Sequence, residues 1–263
     1  MTHGGKIPAP ARETVCRLLL DPPGPGAWNM AVDEMLLERA TAGGGCCWRF
    51  YAWEAPTLSL GYFQATEDRV RHPASQHCPM VRRPSGGGAL VHDRELTYCF
   101  VAPVDHPLAA RRHQLYATIH ETLIEALAHF GMEARLVKEQ APLPSRSHPL
   151  PFLCFQRRAA GDVLLDQIKI AGSAQRRLRG AVLQHGSVLF ERSAAAPELP
   201  GMAETKKSLS RETLTRVWQN VLAARFGWRW SVEPLAEDER QRARQGVREK
   251  YGRASWNLSR GRS

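Results

Sequence analysis

The sequence predicts a mixed α/β fold of the α+β kind, a sheet flanked by helices, from three observations. Short stretches of strand composition alternate with well-separated helical stretches, one long segment carries an apolar stripe of helical period, and no repeat or linker divides the middle of the chain. A length of 263 residues allows one large domain or two small ones. Strand signals on both sides of the proline-rich stretch favour one domain over 15–263, behind a loose Gly/Pro-rich segment at 1–14.

Taken in order, the first helix is expected from Asn29, a good N-cap, through Met35-Leu36-Leu37 to about Ala40, with Asp33 and Glu34 near its positive end and Gly43-Gly44-Gly45 as its stop. Trp48–Phe50 and Thr57–Leu60 read as short strands around Pro56. Val81 leads into Pro84-Ser85-Gly86-Gly87-Gly88, then Ala89-Leu90-Val91, and Leu96–Val101 reads as another strand. The clearest helix runs from about Arg112 to Phe130, with Leu115, Ile119, Leu123 and Leu127 on one stripe and Gly131 ending it. Prolines at 142, 144, 149 and 151 make the Ala141–Pro151 stretch an irregular loop. Asp162–Leu165 and Ile168–Ala171 form a hairpin turning at Asp166-Gln167, and Val182–Phe190 is a strand interrupted at His185-Gly186. Ser210 caps an amphipathic helix through Leu214, Trp218, Val221 and Leu222 to Gly227, and a charged helix follows from about Ala236 to Tyr251.

Composition narrows the function classes. With 43% hydrophobic and 24% charged residues the chain is globular. No run approaches the ~18 apolar residues of a membrane span, and Pro8, Pro10, Arg12 and Arg17 interrupt any signal-peptide core. Six cysteines without a C-x-x-C pair disfavour zinc and a disulfide framework, which fits a reducing cytoplasm. The 36 Lys+Arg against 26 Asp+Glu give +10, but the basic residues are spread out and not interleaved with aromatics, so no nucleic acid is expected as a partner. A cationic binding module is the non-enzymatic alternative.

Four features carry chemistry. Ser85-Gly86-Gly87-Gly88 lets backbone N–H groups approach a ligand, or simply makes a tight turn; it lacks the P-loop ending and the dinucleotide fingerprint. Cys154 is either a small core residue or a nucleophile whose thiolate a neighbouring cation would favour, and Lys169 is the candidate cation, unless it is an exposed strand lysine. His185-Gly186 marks close backbone approach to a ligand, or a bulge. His92-Asp93 has the composition of a base with its orienter, but neighbours on a strand face opposite ways, so they are not a dyad.

In order along the chain, Gly26-Ala27-Trp28-Asn29-Met30-Ala31-Val32-Asp33, Thr57-Leu58-Ser59-Leu60-Gly61-Tyr62-Phe63-Gln64, Arg82-Arg83-Pro84-Ser85-Gly86-Gly87-Gly88-Ala89-Leu90-Val91-His92-Asp93, Lys169-Ile170-Ala171-Gly172-Ser173-Ala174-Gln175 and Leu183-Gln184-His185-Gly186-Ser187 resemble the biotin/lipoate A/B protein ligase family over roughly residues 26–260. The resemblance implies a mostly antiparallel sheet flanked by helices, with an acyl pocket over the sheet. That family contains ATP-dependent lipoate–protein ligases and ATP-independent octanoyltransferases. Cys154-Phe155 resembles the acyl-carrying cysteine of the transferase branch, whereas the triple glycine and His92-Asp93 resemble the ligase loop, with Gly88 where transferases more often have arginine.

The transferase reading implies catalysis by Cys154 and Lys169, with Lys169 lowering the thiol pKa or taking the proton of the incoming amine. It implies substrate binding by Arg83, Ser85, Gly86, Gly87, Gly88, Ala89, Leu90, His92, Gly172, Ser173, Ala174, His185 and Gly186. Backbone N–H groups of Gly172–Ala174 and His185–Gly186 would serve as oxyanion donors. The implied partners are octanoyl-acyl carrier protein as donor and lipoyl domains or the glycine-cleavage H protein as acceptor, both acidic and suited to a +10 surface. No cofactor, metal or membrane is implied, and the state is monomeric. An ATP-dependent ligase, or a relay enzyme moving octanoyl or lipoyl groups between lipoyl domains, are the enzymatic alternatives.

Overall fold

A computed structural model describes residues 14–110, 114–139, 151–205 and 209–258. In chain order the elements are β1 (Thr14–Leu20), α1 (Gly26–Thr41), β2 (Cys47–Tyr51), β3 (Thr57–Leu60), β4 (Met80–Arg82), β5 (Leu90–His92), β6 (Glu95–Pro103), α2 (Pro107–Ala110), α3 (Gln114–Ala128), β7 (Ala134–Leu136), β8 (Val163–Leu165), β9 (Ile168–Leu178), β10 (Ala181–Leu189), α4 (Arg211–Phe226), β11 (Trp228–Val232), α5 (Glu237–Gly246) and α6 (Ala254–Leu258). Eight strands form the central sheet in the order β11-β1-β2-β6-β10-β9-β8-β7, and β4-β3-β5 form a second, small sheet. In the central sheet only β11/β1 and β1/β2 are parallel, so the expected mixed, mostly antiparallel sheet is what the chain forms.

The apolar stripe of α3 (Leu115, Ile119, Leu123, Leu127) packs with Trp218 and Leu222 of α4 against Trp48, Tyr98 and Phe100 on one face of the sheet. Trp218 Nε1 donates to Thr122 Oγ1 at 2.8 Å, which pairs the one polar atom this ring buries. Met30, Val32, Met35 and Leu36 of α1 cover the opposite face with Leu183, Val101 and Cys99, and Ala243 of α5 closes that layer. Ser210 accepts from the Thr213 N–H and Gly227 takes the left-handed conformation at φ 64°, so both ends of α4 fall where the cap residues predict.

The departures have local causes. Helix α1 begins at Gly26 behind Pro25, not at Asn29. The Asn29 side chain is spent elsewhere, donating to the carbonyls of Gly24 (3.2 Å) and Ala52 (3.0 Å). His185-Gly186 does not break β10: the strand is paired through both residues with β6 on one side and β9 on the other. Glycine is required there by crowding, because a Cβ on Gly186 would stand 2.5 Å from Ser173 Oγ and 2.7 Å from the Tyr98 ring. The hairpin turns at Asp166-Gln167 with Asp166 at φ 53°, and β9 continues to Leu178, well past Ala171. Strands β1, β7 and β11 and helices α2 and α6 had no counterpart in the sequence reading. Thr14 is the first residue of β1; the rest of the segment expected to be loose, the start of the long helix at Arg112 and nearly all of the proline-rich loop lie outside the described residues.

Candidate active site

A cavity of about 200 Å³ lies where β9, β10 and β6 meet α1, the glycine loop after β4, and the single turn Cys154–Gln156. Cys154, Lys169, Arg83, Gly87, Leu90, His92, Gly172, Ser173, Ala174, His185 and Gly186 all line it, so residues up to about 100 positions apart in the chain converge on one space. Four expected members do not. Ser85 turns its hydroxyl to His185 Nε2 (2.6 Å) and is buried. The carbonyls of Gly86 and Gly88 both accept from Arg83 Nη2 at 2.7 Å, which fixes the loop's shape from behind. Ala89 packs among Leu58, Leu60 and Leu153 in the core of the small sheet.

Ala89 nevertheless positions the nucleophile candidate. Its N–H donates to the Phe152 carbonyl (3.2 Å) and its carbonyl accepts from the Cys154 N–H (2.7 Å), so the segment carrying Cys154 is laid along the glycine loop like an added strand. Gly88 lies close against this segment: a Cβ there would stand 3.3 Å from the Arg157 guanidinium and 3.4 Å from Cys154 Cα, a tight fit that a shift of the flexible Arg157 side chain would relieve. Lys169 is buried, and its ammonium donates to Asp162 Oδ2 (2.7 Å), the Arg157 carbonyl (3.1 Å) and the Cys154 carbonyl (3.3 Å). An ammonium has three protons, and all three are placed. It is therefore no exposed strand lysine but a charge anchored beside the backbone of Cys154.

Behind this pair stands a network from α3 that the sequence reading did not find. Tyr116 donates to Asp162 Oδ1 (2.7 Å) and accepts from the Ser173 N–H (2.9 Å). His120 Nδ1 faces the Gly161 carbonyl at 2.6 Å, so that nitrogen carries the proton and Nε2 accepts from Ser173 Oγ, also at 2.6 Å. The Ser173 N–H is thus committed to Tyr116, and those of His185 and Gly186 lie in a strand paired on both sides. These three N–H groups are not open as oxyanion donors, and for them that expectation is corrected.

Burial pushes the His120 imidazole down to about 4 from its ordinary 6.5, partly opposed by the Gly161 carbonyl and Asp162. Between those values the unfolded chain binds a proton that the folded one refuses, so this stability is complete above pH 6.5 and lost as pH falls towards 4. The loss is on the order of 3 kcal/mol. Urea unfolding of wild type is expected to weaken over that window, and His120→Gln, which keeps an amide for both partners, is expected to flatten the slope.

Two more histidines are each held by a buried carboxylate. His185 Nδ1 meets Asp33 Oδ2 at 3.0 Å, and Asp33 also binds Arg49 Nη1 (2.8 Å) and the Tyr51 hydroxyl (2.9 Å). Burial raises the Asp33 carboxyl, but the His185 hydrogen bond and the Arg49 charge outweigh it and hold Asp33 below the usual carboxylate value. Asp33 is thus an ionised core residue, not a complement to the helix end. His92 Nδ1 meets Glu95 Oε1 at 2.7 Å while its ring stacks on Trp53 at 4.0 Å. The adjacent Asp93 is not the partner, as strand alternation required. Burial pulls the Arg83 guanidinium down to about 10, against the pull of nearby Cys154. Among the described residues no group of three or more His, Cys, Asp or Glu could hold a metal ion.

Residues 25–213 match the lipoyl protein ligase A/B catalytic domain family. The chain is 37% identical over 176 residues to octanoyltransferase LipM of Geobacillus kaustophilus, a match covering 64% of this chain and 62% of that protein. It is 30% identical over 257 residues to octanoyltransferase LipM of Carboxydothermus hydrogenoformans, covering 88% of this chain and 94% of that one. The structure of protein Ta0514 from T. acidophilum with bound lipoic acid superposes with a TM-score of 0.75 at 23% identity, covering 93% of this chain and 100% of that one. The fold likeness over nearly the whole length and the sequence match through the cavity-lining segments agree: this chain belongs to the lipoyl protein ligase A/B catalytic domain family.

Proposed function

We propose that the chain is an octanoyltransferase of lipoate biosynthesis that carries the acyl group on Cys154. The observation that carries this reading is the placement of a cysteine at the cavity with an anchored ammonium, Lys169, on its own carbonyl oxygen. The relatives named octanoyltransferase support it. The donor is octanoyl-acyl carrier protein, and the acceptor is a lysine of a lipoyl domain or of the glycine-cleavage H protein.

In the first step the Cys154 thiolate adds to the donor's thioester carbonyl and the carrier's thiol leaves, taking a proton, so one thioester replaces another at little cost. The ammonium of Lys169, held at the Cys154 carbonyl, favours the oxyanion that develops beside it. In the second step the lysine amine replaces Cys154 at the carbonyl, and the amide it forms is more stable than the thioester. Six free cysteines suit a reducing compartment, the cytoplasm; among the described residues no helix is long and apolar enough to cross a membrane.

Intact-mass spectrometry after mixing with octanoyl-acyl carrier protein, without ATP, tests this. A gain of one octanoyl group, removed by hydroxylamine and missing from Cys154→Ala, is expected. Absence of the adduct, with pyrophosphate release that depends on ATP and lipoate, would replace the reading by the ligase one.

A further inference from the structure

The turn that carries Cys154 runs into a cation without a counter-charge. Arg157 follows Cys154–Gln156, and its N–H donates back to the Cys154 carbonyl at 3.0 Å. Its guanidinium lies against the glycine loop: the point where a Cβ on Gly88 would stand is 3.3 Å from the guanidinium and 3.4 Å from Cys154 Cα. Nε (2.8 Å) and Nη2 both donate to the Pro151 carbonyl, while Nη1 has no hydrogen bond among the described residues.

Cations elsewhere in the fold have acids: Arg17 has Glu239 (2.6 Å), Arg49 has Asp33 (2.8 Å), Lys169 has Asp162 (2.7 Å) and Lys250 has Glu34 (2.6 Å). Arg157 has none among the described residues. Glu198, which stands beside Gln156 (3.4 Å), is taken by His72 Nε2 at 2.8 Å. The stretch that leads into this segment, residues 140–150, contains no Asp or Glu. Burial holds the Arg157 guanidinium below its ordinary value, against the pull of Cys154, and the like charge of Arg71 adds to that lowering. Arg83 also lacks an acid, but it is buried and its N–H groups are spent on the carbonyls of Ser59, Gly86 and Gly88.

Position decides which anion suits Arg157. Ala159 lines the cavity and is exposed, as are Pro151, Gln156 and Arg158 near it, so the cavity opens to solvent here. Arg157 does not line the cavity; it stands on the rim of that opening, against the backbone of Cys154. An anion that meets Nη1 is therefore close to the acyl thioester. The phosphate of a carrier's prosthetic arm is the length of the whole arm from its thioester, too far out to fit. A carboxylate beside the target lysine fits, because the lysine side chain spans the distance to the thioester while the backbone that bears it stays at the rim.

We propose that Arg157 is a specificity-determining residue of the transfer step, its Nη1 edge pairing with a carboxylate that neighbours the target lysine of the acceptor protein. This rests on the thioester reading above. The pair fixes position as well as adding attraction, since a guanidinium edge meets a carboxylate in a defined geometry. A lysine without such a neighbour is not seated, which separates the target from the other lysines of an acceptor surface.

The test is a double-mutant cycle across the two proteins. Octanoyl-enzyme is prepared from octanoyl-acyl carrier protein for wild type and for Arg157→Gln, and its mass is confirmed. Single-turnover transfer is then measured against apo H protein and against variants with each Asp or Glu near the target lysine changed in turn to its amide. With wild type, one of these acceptor changes is expected to lower transfer by about tenfold, read mainly in the acceptor concentration that half-saturates the rate. With Arg157→Gln, transfer to unaltered H protein is expected to fall by a similar factor, and that acceptor change to cost little more. Transfer by wild type should also weaken more steeply with rising NaCl than transfer by the variant. A structural role for Arg157 would slow transfer to every acceptor alike and leave the acceptor change as costly as before, which overturns the proposal. So does wild-type transfer that is insensitive to every acceptor change, or an Arg157→Gln defect confined to loading, which would place a donor anion at the rim instead. Failure of wild type to gain the octanoyl mass removes the thioester reading itself and is seen before any acceptor is added.

Discussion

Replacing Arg49 by methionine is expected to destabilise the fold by about 3–5 kcal/mol, the cost of leaving a buried charge without its partner. Arg49 is fully buried and donates to Asp21 Oδ2 (2.7 Å), Asp33 Oδ1 (2.8 Å), the Asn29 carbonyl (3.1 Å) and Asn29 Oδ1 (3.0 Å), while its guanidinium lies 4.0 Å over the Tyr51 ring. One side chain on β2 thus ties the start of α1 to the sheet, and methionine fills the volume without any of the donors. Native stabilities of roughly 5–15 kcal/mol leave little after such a loss. The pH dependence identifies the cause. In wild type Asp33 is held below its ordinary value, so its contribution is present at neutral pH and lost only as pH falls below the usual carboxylate range. Without Arg49 one of the causes that hold Asp33 down is lost, so its carboxyl moves up, with the His185 hydrogen bond still opposing burial. The gap in urea midpoint between wild type and variant should therefore narrow as pH is lowered from 7 to 4. A gap that stays constant would mean that packing, not the stranded carboxylate, sets the cost.

Asp33 also marks the boundary of what could be read from sequence. Its position near a helix start suggested a partner for the helix dipole, whereas its real partners lie 16, 18 and 152 residues away. Periodicity and caps located α3, α4, the β8–β9 hairpin and β10, because each is specified by residues within one or two turns of itself. They did not locate β7, only three residues long, or β11, which earns its place by lying alongside β1 at the sheet edge. The same division holds in the cavity. Cys154, Lys169 and His92 could be named as candidates, since each sits in a motif; Asp162, Tyr116, His120 and Glu95 could not be given roles, since each acts on a candidate through a contact across the fold. For His92 the alternation rule excluded Asp93 correctly, but only the turn into β6 reveals that Glu95, three residues on, is the partner.

Lys169→Met is expected to lower the rate of Cys154 loading by about 10²–10³-fold, the usual effect of removing one fixed charge or donor from the site of a developing oxyanion. It should also destabilise the protein, because Asp162, 1% exposed in its side chain, loses its counter-charge and keeps, among the described residues, the Tyr116 hydroxyl and the Ala159 N–H. The two effects must be separated before Lys169 is given a chemical role. Adding Asp162→Leu removes the stranded carboxylate, so the double variant should recover stability, short of what the Tyr116 and Ala159 donors lose, each about 1 kcal/mol or somewhat more. Activity should not return with it, since the ammonium on the Cys154 carbonyl is gone, while Arg83 and Arg157, the other cations acting on Cys154, are the same in every variant. A single variant that loads at the wild-type rate, or a double variant whose loading recovers in step with its stability, would make Lys169 a structural ion-pair member. If instead stability recovers and loading does not, the pair is what the geometry suggests: Asp162 holds the ammonium in place, and the ammonium acts on the loading step.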